Sequence, residues 1–259
     1  MFRIKEFAKP KLKNVVVVEG LPGIGSVGKI AVDFMIESLD AEKLLEICSD
    51  GFPNSVFVNE ENLVDMPKVE LFYKKFKHED FIFVTGDVQP VDERACYEFC
   101  NLILDIFEKY GGKEIVTLGG IGLPKILKIP KVYCSGNDKS IIKRYAHKKM
   151  NRKIFGTVGP IIGVTGLLVG LAGERDIPAI IVLAQTFSHP AYLGVSGAKE
   201  ILSIFNDKFG LKMSLGKLGK EIKDIEKEIR LRRQVNARYE KKNAGYLGKE
   251  VSEGATYIG

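Results

Sequence analysis

Tryptophan is absent from this 259-residue chain, histidine occurs three times and cysteine four times. These scarcities restrict the chemistry. Cys48, Cys96, Cys100 and Cys134 include no C-x-x-C pair. Cys96 and Cys100 stand four apart and share a face of a predicted helix, but no histidine lies nearby to complete a four-ligand zinc site. H-E-x-x-H and G-x-S-x-G are also missing, so neither a zinc-protease helix nor a nucleophile elbow is on offer, and no metal is expected. The N-terminus has no secretory apolar core, and the four thiols read as reduced and mostly buried, so the expected location is the cytoplasm.

One stretch lacks charge altogether. Residues 154–173 form a run of twenty without Asp, Glu, Lys or Arg, long enough to cross a bilayer. It holds six glycines and Pro160, and five of those glycines (159, 163, 166, 170, 173) fall at helical steps. A bare-backbone stripe of this kind predicts a helix packed closely on a neighbour in a soluble core, with no membrane partner.

Charge is unevenly spread. The formal net charge is +6, yet residues 211–259 hold twelve Lys/Arg and seven Asp/Glu, which leaves the first 210 residues at +1. In that basic appendage Leu215, Leu218, Ile222, Ile225 and Ile229 recur at steps of three and four among charged residues. They predict a charged helix over about 214–243 with a narrow apolar seam, too thin for a core and suited to partner packing in a homo-oligomer. Residues 244–259 carry four glycines and no period, as a free tail does. The basic surplus alone also allows nucleic acid, but the aliphatic seam contributes nothing to that reading.

Before Gly210 the pattern is α/β. Fully apolar runs at 14–19, 81–85 and 178–184 read as strands buried on both faces, with further strands at 44–48, 55–58, 69–76 (more polar, nearer an edge), 114–118 and 132–134. Helices are predicted over about 27–39, 92–110 with Asp92 as cap, 138–147, from about Pro160, and 197–209. Alternation of buried strands and helices predicts a three-layer α/β/α domain over 1–210, with a mostly parallel sheet, followed by the 211–259 appendage.

The sharpest local motif is Glu19-Gly20-Leu21-Pro22-Gly23-Ile24-Gly25-Ser26-Val27-Gly28-Lys29. Gly23, Gly25 and Gly28 spell G-x-G-x-x-G after a buried strand, and Gly23 to Lys29 spells most of a P-loop. Ile30 stands where a P-loop needs Ser or Thr for magnesium, and the acid expected about twenty residues on would be Glu46, inside an apolar strand. Two readings stay open: a nucleotide- or anion-binding turn, with an ATP-dependent enzyme as the alternative function, or glycines that let a helix pack on the sheet. Asp87, Ser188 and His189 lie in other turns expected at the carboxyl edge, beside a Gly-rich turn at 119–122.

Together, EGLPGIGSVGKIAVDFMI, TGDVQP, LGGIG and VTGLLVGLAGERDIPAIIVLAQT resemble the archaeal members of the proteasome assembly chaperone family, in order and spacing, over about residues 10–205. The resemblance implies a fold akin to nucleoside phosphorylases without their catalytic residues. It also implies homo-oligomers, no cofactor, and binding to proteasome α subunits instead of catalysis. Related activators and chaperones end in hydrophobic–Tyr–any, with a docking Tyr and terminal carboxylate. This chain ends Thr256-Tyr257-Ile258-Gly259, with the Tyr third from the end, so Tyr257, Ile258 and Gly259 are the implied docking residues.

Overall fold

A computed structural model describes residues 1–216, apart from residues 60 and 157. The chain opens with β1 (Phe2–Glu6) and β2 (Val15–Glu19), and one 3-10 turn (Ile24–Ser26) leads into α1 (Val27–Ser38). Then come β3 (Glu42–Ser49), a hairpin of β4 (Phe57–Val58) and β5 (Val64–Asp65), β6 (Val69–Lys74) and β7 (Phe81–Gly86). These are followed by α2 (Glu93–Lys109), β8 (Gly112–Leu123), β9 (Val132–Gly136), α3 (Lys139–Arg144) and β10 (Met150–Asn151). Last are α4 (Val164–Glu174), β11 (Ala179–Phe187) and α5 (Val195–Phe209).

Nine strands form one sheet in the order β1-β3-β6-β7-β2-β8-β11-β9-β10. Its centre, β7-β2-β8-β11, is parallel, as the all-apolar runs require. The flank β1-β3-β6-β7 is antiparallel, β9 runs antiparallel to β11, and the short edge strand β10 is parallel to β9. The sheet is therefore mixed, with the expected parallel order confined to its middle.

Alternation along each strand builds two cores. Val15, Val17 and Ile115 join one cluster with Phe99, Ile103 and Leu104 of α2 and with Leu168 and Ala172 of α4. Val16 and Val18, equally buried, point the other way, toward the face where α1 and α5 pack on each other and on β8 and β11. Helices thus cover both faces, as the three-layer reading requires. The amphipathic helix α2 shows why local sequence suffices here. Asp92 Oδ1 accepts the Ala95 N–H at 2.9 Å, Glu93 and Lys109 sit at the ends the helix dipole favours, and Gly111 takes φ +66° just beyond. Each fully buried Phe or Ile on its inner stripe contributes about 2 kcal/mol.

Several expectations are corrected. The turn expected at 119–122 is strand: Gly119 to Gly122 pair with Leu183 to Thr186 of β11. β6, read as nearer an edge, lies between β3 and β7, and its Glu70 joins a lattice with Lys43, Glu46 and Lys68. The predicted strand over 55–58 shortens to Phe57–Val58 in a separate hairpin. β1 and β10 were not foreseen. The glycine stripe expected from about Pro160 packs only in part. The helix starts only at Val164 and buries Val164, Leu168, Val169 and Ala172; Gly163 lies against Gln89 and Gly166 against the Ile161 carbonyl, but Gly170 faces open space. Among the described residues no helix is long and apolar enough to cross a membrane.

Beyond Gly210 the chain stays packed for a few residues. Leu211 and Met213 are buried, and the Asn206 side chain accepts from Met213 N–H at 3.0 Å and donates to its carbonyl at 2.9 Å. Leu215 is half-buried. The remaining seam residues Leu218, Ile222, Ile225 and Ile229, and the tail residues Tyr257, Ile258 and Gly259, lie outside the described residues.

Candidate functional site

The parallel strands end together, so the β2–α1, β7–α2 and β11–α5 loops gather at one edge. Gln89 ties three segments there: its Nε2 donates to the Pro22 carbonyl at 2.9 Å and its Oε1 accepts the Val164 N–H at 3.2 Å.

At that edge the Gly-rich turn is filled by protein. Gly28, in the first turn of α1, lies against the Leu118 carbonyl of β8, with no room for a Cβ. Gly25 takes φ +62° against the Thr186 side chain, and its carbonyl accepts the Gly194 N–H at 2.7 Å. The Ile24 carbonyl abuts Gly120. Gly23 alone of the motif glycines has nothing nearby. Ser26, at φ +49°, precedes α1 and makes no side-chain cap. Lys29 turns along the helix to Asp33 at 2.9 Å, and Asp33 in turn accepts from the Thr85 hydroxyl at 2.5 Å. A P-loop lysine must instead reach back over the turn to phosphates.

The dinucleotide fingerprint also lacks its partner strand. Glu46 lies on β3, which is antiparallel to its neighbours and three strands from β2 in the sheet, roughly 14 Å at strand spacing. Its carboxylate is held by Lys43 at 2.6 Å. Asp87 and His189 are likewise not brought together. β7 and β11 are three spacings apart, again roughly 14 Å. Asp87 accepts the Lys68 N–H at 3.2 Å, while His189 stacks on Phe187 at 5.7 Å. Among the described residues no three His, Cys, Asp or Glu side chains are grouped to hold a metal.

Sequence reasoning passed over the most unusual group at this edge. Glu19 closes β2 with no solvent exposure. Its Oε1 accepts the Leu21 N–H at 2.9 Å, and Oε2 has no hydrogen-bond partner among the described residues. Burial pushes its carboxyl up from an ordinary 4.5 to about 7, opposed by the Leu21 N–H and the nearby Thr165 hydroxyl, with the Cys96 thiol adding slightly to the rise. The neighbouring Cys96 and Cys100 thiols interact, which lowers the Cys96 thiol's pKa, while the same contact together with burial raises that of Cys100. The only signal in the sequence was an acid ending a run of four valines.

The arrangement is thus a close-packed edge with one buried acid and, among the described residues, no group placed to hold a metal. Against known families, the model of the PAC2 family matches residues 17–231. The chain belongs to the PAC2 family. An uncharacterized protein of Methanocaldococcus jannaschii is 30% identical to this PAC2 protein over 219 residues, covering 84% of this chain and 83% of that one. Among solved structures, Pyrococcus furiosus PbaB, described as an archaeal proteasome activator, matches with TM-score 0.81 and 30% identity over 90% of this chain and 98% of that one. Pyrococcus furiosus PbaA, described as an archaeal homolog of proteasome-assembly chaperone, matches with TM-score 0.71 over 92% of this chain and 100% of that one. At 21% identity it shares the fold.

Proposed function

We propose that this PAC2 protein is a non-catalytic partner of the proteasome, a chaperone or activator that binds proteasome α subunits. The likeness to PbaB carries the reading, because it extends through both sequence and fold over nearly the whole of that chain. The filled Gly-rich turn supports it: Gly28 and Gly25 serve close packing, and Lys29 is engaged by Asp33. In this reading the protein is a cytoplasmic homo-oligomer that uses Leu215, Leu218, Ile222, Ile225 and Ile229 as a seam, and its tail residues Tyr257, Ile258 and Gly259 enter pockets on the α ring. A Tyr close to a terminal carboxylate suits such recognition, since the ring and the carboxylate can be read together, and several copies add avidity.

The test is co-purification and surface-immobilised binding of the full chain with archaeal proteasome α rings. Binding by wild type, reduced at least tenfold by deletion of residues 257–259 with fold and mass unchanged, is the expected result. No binding by wild type overturns the proteasome reading. Equal binding by the truncated chain removes only the tail from it.

A further inference from the structure

The β4–β5 hairpin is anomalous. Every described residue from 54 to 66 is exposed, so the hairpin is at most lightly covered by the domain. Six of the exposed side chains are nevertheless large and apolar: Val56, Phe57, Val58, Leu63, Val64 and Met66, with Val58 68% and Val64 67% exposed. A two-stranded hairpin is marginal in water without a cover, and contiguous exposed apolar surface marks an interaction site. Its charge is of one sign. Residues 51–67 contain Glu60, Glu61 and Asp65 and no Lys or Arg.

A second patch on the same sheet edge has the opposite character. The segment 124–131, Pro-Lys-Ile-Leu-Lys-Ile-Pro-Lys, joins the end of β8 to β9. Ile126 and Ile129 are exposed, Ile129 by 77%, and they alternate with Lys125, Lys128 and Lys131. No salt bridge among the described residues engages these lysines, or Glu61 or Asp65.

Topology fixes where the patches lie. The hairpin leaves β3 and enters β6 at the register Ile47–Val69–Gly86, which is the carboxyl edge of β7. The lysine segment enters β9 opposite Ala184, with Lys131 and Gln185 exchanging hydrogen bonds, at the carboxyl edge of β11. From β6 to β11 there are four strand spacings, roughly 19 Å. One chain therefore displays an acidic apolar patch and a basic apolar patch at opposite ends of one edge.

We infer that the occupant of each patch is a second copy of this chain, with the acidic hairpin of one protomer seated on the 124–131 segment of the next. Apolar side chains on both patches supply the driving force, and the opposed charges set register and exclude hairpin-to-hairpin pairing. Paired head to tail, the assembly keeps one unused patch of each kind until a ring closes; paired reciprocally across a two-fold, both patches of both copies are used in a dimer. The contact goes beyond the seam contact proposed above, because it uses the described domain alone and needs no proteasome.

The experiment is light scattering of the full chain at micromolar concentration, at low and high salt, with four proteins. These are wild type, Glu61→Lys/Asp65→Lys, Lys125→Glu/Lys128→Glu, and the seam variant Ile222→Asp/Ile225→Asp, with circular dichroism to confirm the fold of each. Each patch variant alone should show at least a twofold lower mass than wild type. One variant carries two basic patches and the other two acidic patches, so mixing them in equal amounts should restore the larger mass. Salt should weaken wild type, since surface charge is screened over about 8 Å at physiological ionic strength. As a second measurement, Ile126→Ser/Ile129→Ser should also lower the mass without altering charge. A single-chain mass of 28.8 kDa for wild type overturns both this contact and the oligomer reading. An unchanged mass for folded patch variants, with a fall only in the seam variant, overturns this contact and leaves the seam. Patch variants that lose α-ring binding but keep their mass also overturn it, assigning the edge to the proteasome.

Discussion

Replacing Glu19 with Gln tests the most unusual group in the domain. The carboxyl is raised from 4.5 to about 7 chiefly by burial. At 1.36 kcal/mol for each tenfold change in proton affinity, that difference costs about 3 kcal/mol of stability once the pH is well above 7. The sign follows from proton binding. Between 4.5 and 7 the folded chain holds a proton on Glu19 that the unfolded chain has released. Stability from this group is therefore complete below about 4.5, falls as pH rises, and is fully lost above about 7. Gln keeps the shape and the acceptor for the Leu21 N–H but does not titrate. The stability of Glu19→Gln relative to wild type should rise by about 2 kcal/mol between pH 5 and pH 7.5. Urea denaturation of both proteins across that range gives the difference, and carbon NMR of the carboxyl gives the titration directly. A difference that stays flat with pH, or a carboxyl that titrates near 4.5, would refute the argument that burial governs this site.

Gly28→Ala should destabilise by about 2 kcal/mol, because a Cβ there meets the backbone carbonyl of Leu118, which cannot rotate away. Gly170→Ala, facing open space in α4, should instead stabilise by up to about 1 kcal/mol. Urea midpoints measure both, and equal effects would refute the close-packing role given to Gly28. Glu114→Ala should cost about 2 kcal/mol, because the buried carboxylate accepts the Tyr145 hydroxyl at 2.7 Å and that buried hydroxyl would be stranded, whereas the partly exposed Arg144 can turn to solvent. Glu114→Leu combined with Tyr145→Phe should recover part of that loss. Lys29→Ala removes only a partly exposed pair with Asp33, so stability should change by about 0.5 kcal/mol. Calorimetry with ATP–Mg should show no micromolar binding before or after the change; such binding in wild type that is lost in the variant would restore the nucleotide reading.

The parts of this molecule whose physics is local were readable along the chain. The valine run at 15–18 could only be a strand covered on both sides, and Asp92 with Gly111 bounded α2 through a cap and a left-handed turn. The family was also legible, because the order of the Gly-rich segments survives without any contact map. The rest was set by folding, since each remaining question is about which distant segments meet. Pairing of β1 with β3, β3 with β6 and β6 with β7 made the flank antiparallel, a choice no run of residues encodes alone. The motif at Gly23–Lys29 reads equally as a phosphate cradle or a packing device. What separates these is Leu118, Gly120 and Thr186, about a hundred residues or more away in the chain, occupying the space beside it. Glu19 looked like the last residue of a strand until its depth became known. A carboxylate's proton affinity is set by the solvent it has lost, and that loss is a property of the folded sheet and its covering helices.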